Sequence, residues 1–235
     1  AGYNEIRGLR VKYLSADPSN PEDGQVWYNS TTGNLRVKGV AIAAFASAAA
    51  LPTGTSTYNR AGTMTAGLFA GGNTSTGFST ATYEWNGSGW TSGGAIGTAL
   101  YSNTGFGTQT AGASAAGRPT NGSSGDTNAT FEYDGSSWTS VNAANLAART
   151  RQSFGIQTAA AMVGGFSQSG GSYTNATEEY DGTNWTTVTV MPAATASANA
   201  IGTQTAAIVS LGGAPTVATT YVAYDGTNWT SSPSA

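Results

Sequence analysis

The chain predicts an all-β fold: four repeats of four strands each, preceded by a small N-terminal β-hairpin. Three recurring landmarks carry that expectation. A motif ending in tryptophan closes at Trp90, Trp138, Trp185 and Trp229, at steps of 48, 47 and 44 residues. A Gly-x-x-Thr-Ala segment starts at Gly62, Gly107, Gly155 and Gly202, at steps of 45, 48 and 47. A glycine pair follows it, Gly71-Gly72, Gly164-Gly165 and Gly212-Gly213, with Ala116-Gly117 in the second repeat. A self-similar period of roughly 20–50 residues marks an array of supersecondary units, none able to bury its own face alone.

Residues 1–40 stand apart as an N-terminal module, and residues 41–235 form the repeat domain. The module holds nine of the 21 charged residues. Residues 6–14 alternate enough for a strand, and Pro18 and Pro21 enforce an extended connector. Residues 24–29 and 34–38 read as two strands joined through Thr32-Gly33. Trp27 and Tyr28 form an aromatic pair on a hairpin too small to fold alone, so the module is expected to dock on a neighbour or on copies of itself.

Each repeat then reads as strand, strand, glycine pair, strand, Asp-Gly, and a last strand opening at tryptophan. The best copies are FEYDGSSW, EEYDGTNW and VAYDGTNW, with YEWNGSGW looser. Tyr133, Tyr180 and Tyr224 end one strand. Gly135, Gly182 and Gly226, each after an aspartate, supply the positive φ of a tight turn. The flanking aromatics bury large area between neighbouring units. The recurring aspartates suit a metal or a sugar, but turn chemistry accounts for them without a ligand. Each Trp precedes the next Gly landmark by 17 residues, and the same count back from Gly62 reaches Phe45. Five strands of this type for four complete units predict one spare strand, at Phe45 or Trp229, that pairs elsewhere or recruits a partner.

Two resemblances follow from these residues. Residues 20–30, NPEDGQVWYNS, with residues 32–37, TGNLRV, resemble a module of tailed-bacteriophage virion proteins and tail fibres. That resemblance implies attachment to a particle or fibre, with Trp27, Tyr28 and Phe45 serving assembly. The order of Gly, Gly-Gly and Tyr-Asp-Gly-x-x-Trp over residues 45–230 is similar to kelch repeats. It implies propeller blades, forming either a small β-propeller or an open array completed by another copy.

Composition excludes several functions. Charged residues are 9% of the chain and the net charge is −3, which leaves no electrostatic footprint for nucleic acid. Histidine and cysteine are absent, removing the usual base, proton shuttle and thiolate. No apolar run approaches a membrane span, and no secretory signal is visible at the start. Serines and threonines lack an evident base. Glu84, Glu132, Glu178 and Glu179 recur with the repeat, which would spread them around a ring rather than pair them for glycoside hydrolysis. No cofactor or metal site is expected, and the chain is not expected to be an enzyme. Tyr58, Tyr101, Phe154 and Tyr173 suit packing more than ligand contact. Arg60, Arg118, Arg149 and Arg151 are expected to be solvated or to pair between subunits.

The function expected is that of a phage virion structural protein, of tail-fibre, capsid-fibre or decoration type. It assembles through residues 1–40 with other virion proteins and copies of itself, and displays the β array for attachment to a host cell-surface glycan. The alternative is a secreted or surface carbohydrate-binding propeller.

Overall fold

Each Tyr-Asp-Gly-x-x-Trp motif closes a hairpin between the third and fourth strands of a repeat in the computed structural model, which describes residues 11–22, 24–38, 48–119, 125–212 and 220–231. Tyr133 pairs with Trp138, Tyr180 with Trp185 and Tyr224 with Trp229. The four residues between are held by the aspartate rather than by a two-residue turn. Asp134 Oδ1 accepts the N–H groups of Ser136 and Ser137, both at 2.8 Å. The backbone and hydroxyl groups of Ser137 and Ser136 hold the Asp134 carboxyl at about 2. Asp181 and Asp225 make the same turn.

The chain divides into two compact units, Ala1–Ser47 and Ala48–Ala235. In the first, β1 (Lys12–Leu14), β2 (Val26–Asn29) and β3 (Asn34–Val37) form one sheet, with β1 parallel to β2 and β3 antiparallel to it. Asp17 latches one face: it accepts Trp27 Nε1 and Asn29 Nδ2, both at 2.8 Å, and pairs with Arg36 at 3.3 Å. Cross-strand register puts Tyr13, Tyr28 and Leu35 together on the opposite face, with Val26 and Val37 beside them.

The second unit is all β. Blade 1 comprises β4 (Asn59–Thr63), β5 (Ala66–Ala70), the side hairpin β6 (Asn73–Thr74) and β7 (Gly77–Phe78), then β8 (Thr82–Trp85) and β9 (Trp90–Gly93). Between it and blade 2 comes β10 (Leu100–Tyr101). Blade 2 comprises β11 (Thr104–Gly107), β12 (Gly112–Ala115), β13 (Arg118–Pro119), β14 (Thr130–Tyr133) and β15 (Trp138–Val141). Blade 3 comprises β16 (Gln152–Ile156), β17 (Ala159–Val163), the side hairpin β18 (Phe166–Ser167) and β19 (Ser172–Tyr173), β20 (Thr177–Tyr180) and β21 (Trp185–Val188). Blade 4 comprises β22 (Asn199–Thr203), β23 (Ala206–Ser210), β24 (Tyr221–Tyr224) and β25 (Trp229–Ser231). The four main sheets are four-stranded antiparallel meanders, β4-β5-β8-β9, β11-β12-β14-β15, β16-β17-β20-β21 and β22-β23-β24-β25. The Gly landmark turns the first strand into the second: Gly155 has φ 104°, and a Cβ there would lie 2.3 Å from Ala159 O.

The core lies between blades, not within them, as packed sheets require. Phe106, Ala113 and Ala115 of blade 2 meet Ala160, Met162 and Tyr180 of blade 3. Phe154, Ala161 and Val163 of blade 3 meet Ala207, Val209, Val222 and Tyr224 of blade 4. Small side chains let the sheets come close: a Cβ at Gly112 would lie 2.6 Å from Leu68 of blade 1. The scarcity of large aliphatics is therefore a property of the interface, not a sign of disorder.

Three polar contacts repeat at every junction and bind the blades together. First, the glutamine of the Gly-x-x-Thr-Ala turn reaches back to two carbonyls of the preceding blade. Gln109 donates to Gly67 O and Trp85 O, Gln157 to Gly112 O and Tyr133 O, and Gln204 to Ala160 O and Tyr180 O. Second, the motif tyrosine donates to a glutamate of the preceding blade: Tyr133 to Glu84, Tyr180 to Glu132 at 2.9 Å, and Tyr224 to Glu179 at 2.8 Å. Third, the motif tryptophan donates Nε1 to a threonine hydroxyl: Trp138 to Thr82 at 2.9 Å, Trp185 to Thr130 at 3.0 Å, and Trp229 to Thr177 at 3.1 Å. In blade 1, where no blade precedes, Trp90 donates to Ala49 O at 3.0 Å. The ring of each motif tyrosine also packs on its own tryptophan, with centroids 4.6–4.9 Å apart.

Two of the four arginines depart from expectation, whereas Arg60 is exposed. Arg151 is not solvated: it is 1% exposed and donates to the carboxylate of buried Glu178 and to Met162 O. Glu178 in turn accepts the backbone N–H groups of Asn145 and Leu146. Arg149 pairs with Asp126 at 2.8 Å and lies over the Phe166 ring. Both pairs lie within one chain.

Truncating Gln157 to alanine leaves two carbonyls of blade 2 without their donor and should cost about 1–3 kcal/mol in chemical denaturation. Truncating Met64, the residue at the same place in blade 1, should change stability by no more than about 0.5 kcal/mol. Replacing Glu178 with alanine strands the Arg151 charge and should cost about 3–5 kcal/mol. Burial, and then the carboxylate beside each, raises Tyr133, Tyr180 and Tyr224 well above the ordinary tyrosine value of 10.0. Their contribution is complete below pH 10 and declines above it, because the unfolded chain sheds those protons first. Denaturation midpoints measured from pH 8 upward should fall beyond pH 10, and less steeply in the triple Tyr-to-Phe variant.

Candidate functional site

A polar bowl of about 610 Å3 opens where the first strands of the four blades begin. These strands, β4, β11, β16 and β22, lie side by side in chain order. The residue two positions before each strand is Thr57, Ser102, Thr150 or, in blade 4, Ser197, and all four have φ 54°. A non-glycine residue in the left-handed region is uncommon, and four at one repeat position mean that the surrounding structure imposes it. What imposes it is a chain of backbone hydrogen bonds from blade to blade. Ser102 N–H donates to Thr57 O at 3.0 Å, Thr150 N–H to Ser102 O at 3.1 Å, and Ser197 N–H to Thr150 O at 3.3 Å.

The bowl carries hydroxyl, amide and guanidinium groups, among them Tyr58, Asn59, Arg60, Gln152 and Asn199, and no carboxylate lines it. The buried side-chain atoms without a hydrogen-bond partner, among the described residues, are Asn59 Nδ2, Asn103 Oδ1 and Arg151 Nε, and all three residues line this bowl. Arg60 makes no ion pair among the described residues. Burial lowers the Arg151 pKa, opposed by the Glu178 charge beside it. Such a surface suits a polyhydroxylated or amide-bearing ligand held by hydrogen bonds. It does not supply the oxygen anions a divalent cation needs, and no cluster of three metal-ligating residues occurs among the described residues.

The residues singled out by sequence lie elsewhere. Trp138, Trp185, Trp229, Tyr133, Tyr180 and Tyr224 join blades, as described above. Gly135, Gly182 and Gly226 pack their turns on Thr110, Thr158 and Thr205 of the same blade. Trp90 borders a separate apolar cavity of about 410 Å3 on the outer face of blade 1, with Met64, Phe69 and Trp85. Trp27 is buried on the latch face of the N-terminal sheet, and Tyr28 packs on Tyr13 at 4.8 Å on the other. Phe45 lies outside the described residues. Phe154 is buried between blades, whereas Tyr101 stacks on Phe78 and Tyr173 meets Phe166. The bowl itself escaped sequence reasoning. Its signal was a hydroxyl residue five positions ahead of each Gly landmark, at 57, 102, 150 and 197.

No protein-family model matches this chain, and no curated protein sequence matches it. The fold does match solved structures, 166 chains in all, a breadth that makes the scaffold uninformative about chemistry. The structure of YjhT superposes with a TM-score of 0.66 at 14% identity, over 80% of this chain and 68% of that one. The likeness establishes an all-β, propeller-like architecture of four-stranded repeats and nothing finer.

Proposed function

We propose that this chain is a structural display protein of a virus particle of the tailed-bacteriophage type. It attaches through the N-terminal module to other virion proteins and copies of itself, and presents the blade array outward. The observation that carries the reading is an exposed apolar face of the N-terminal sheet. Val11, Tyr13, Val26, Leu35 and Val37 are all exposed on a unit that is compact by itself. An exposed contiguous apolar face of this kind marks an interaction surface. The latch on the other face, Asp17 with Trp27, Asn29 and Arg36, gives that surface a defined shape.

The use made of the polar groups supports a non-catalytic role. Glu84, Glu132 and Glu179 hold tyrosines of the next blade, and Glu178 holds Arg151. These acids are committed to structure, and histidine and cysteine are absent. The bowl favours a second element of the reading, attachment to a glycan of the host surface through hydroxyl and amide contacts.

Leu35→Asp places a carboxylate in the middle of the apolar face without touching the Asp17 latch. Sedimentation of the wild-type and variant chains with phage particles lacking the protein should show attachment to the particles lost in the variant. Equal association of both chains would remove the attachment role of this face. Retention of the wild-type chain on a glycan array, lost on Asn199→Ala with Arg60→Ala, checks the bowl. Binding unchanged by that double variant would place any glycan elsewhere.

A further inference from the structure

The three contacts that bind blade to blade are rewritten at both ends of the array. Blade 1 has Met64 where blades 2, 3 and 4 have Gln109, Gln157 and Gln204, and Trp85 where they have the donor tyrosine. Blade 4 has Ala223 where the accepting glutamate stands in blades 1, 2 and 3, and Tyr221 where the accepting threonine stands. Met64 and Ala223 each lack the hydrogen-bonding side chain of that place, Tyr221 puts an aromatic where a small hydroxyl residue stands, and Trp85 turns its Nε1 donor to Met64 O of its own blade. The changes also match in size: the larger indole at 85 belongs opposite the position where Glu has become Ala.

No blade among the described residues covers the faces bearing these residues. Ile201 takes the place of Phe106 and Phe154, which are 3% and 4% exposed because the next blade covers them, yet Ile201 is 76% exposed. Ile208 and Tyr221 are exposed beside it, and Met64 at the other end is 88% exposed. Blade 1 adds the apolar cavity between Met64, Phe69, Trp85 and Trp90. The backbone chain of the bowl stops at the same two places. Among the described residues no bond reaches Thr57 N–H or Ser197 O, leaving one donor at the blade 1 end and one acceptor at the blade 4 end.

We infer that the blade 4 face of one copy docks on the blade 1 face of a second copy of this chain. Trp85 of one copy meets Ala223 of the next, Met64 covers the carbonyls that an internal glutamine would take, and Ile201 and Ile208 fill the apolar cavity. Thr57 N–H donates to Ser197 O of the neighbour, continuing the hydrogen-bonded chain across the joint. The contact is heterologous, so it yields a ring if the rotation closes and a filament if it does not. It is independent of the attachment proposed for the N-terminal sheet.

The test uses the full-length chain carrying Leu35→Asp, so that the N-terminal face is silent, and adds Met64→Asp or Ile201→Asp. Both positions are exposed, and unchanged thermal melts confirm folding. Light scattering after size exclusion should give an oligomer for the Leu35→Asp chain at high micromolar concentration. Each added variant should be monomeric, with association roughly a hundredfold weaker. An equimolar mixture of the two should form a dimer, because each retains the end the other lacks. A monomeric Leu35→Asp chain overturns the inference. So does a Met64→Asp variant that still dimerises, which would mean like faces pairing, or a mixture that stays monomeric.

Discussion

The structure depends on polar contacts made between blades by groups that would otherwise be stranded. Packing sheet on sheet through alanine and glycine brings backbones close and removes water from the carbonyls along the edges. Gln109, Gln157 and Gln204 supply donors to those carbonyls two at a time. A buried carbonyl without a donor costs more than an ordinary hydrogen bond contributes, so these side chains are what allow the small-residue interface. The Tyr–Glu and Trp–Thr contacts do the same for the aromatic rims. The tyrosines and tryptophans packed between blades bring polar tips that need partners once the faces close.

The same economy governs the glutamates of the blades. Each of Glu84, Glu132 and Glu179 is engaged by the phenol of the following blade, one junction apart along the array. Glu178, one residue from this series, is turned the other way in the sheet and serves Arg151 and two backbone amides of the segment that leads into blade 3. Alternation along a strand thus separates two adjacent acids into different structural duties. Hydroxyls, amides and Arg60, by contrast, converge on the open bowl.

Much of the fold was legible because a repeat shows itself by periodicity, without any knowledge of contacts. The positions of Trp138, Trp185 and Trp229 gave the blade length, and Asp-Gly gave the hairpins. Less was legible about roles. The tryptophans read as packing groups, yet their indole N–H groups reach threonines about fifty residues back in sequence, which no local pattern specifies. Arg151 read as a solvated charge because its partner, Glu178, lies in β20, far along the chain from it. Trp27 read as an assembly contact, but Asp17 folds back to hold it on the buried face.

By itself the sequence determined the all-β class, the number and length of the repeats, and the turn at each Asp-Gly, because these follow from local backbone preference and recurrence. Only the tertiary structure decided which groups face one another across the blades, and that Thr57, Ser102, Thr150 and Ser197 share a strained backbone around one bowl. It alone decided that Met64 and Ile201 stand at uncovered ends. Those features arise from the angle and spacing at which sheets pack, a property of the folded whole that the order of residues along one strand does not carry.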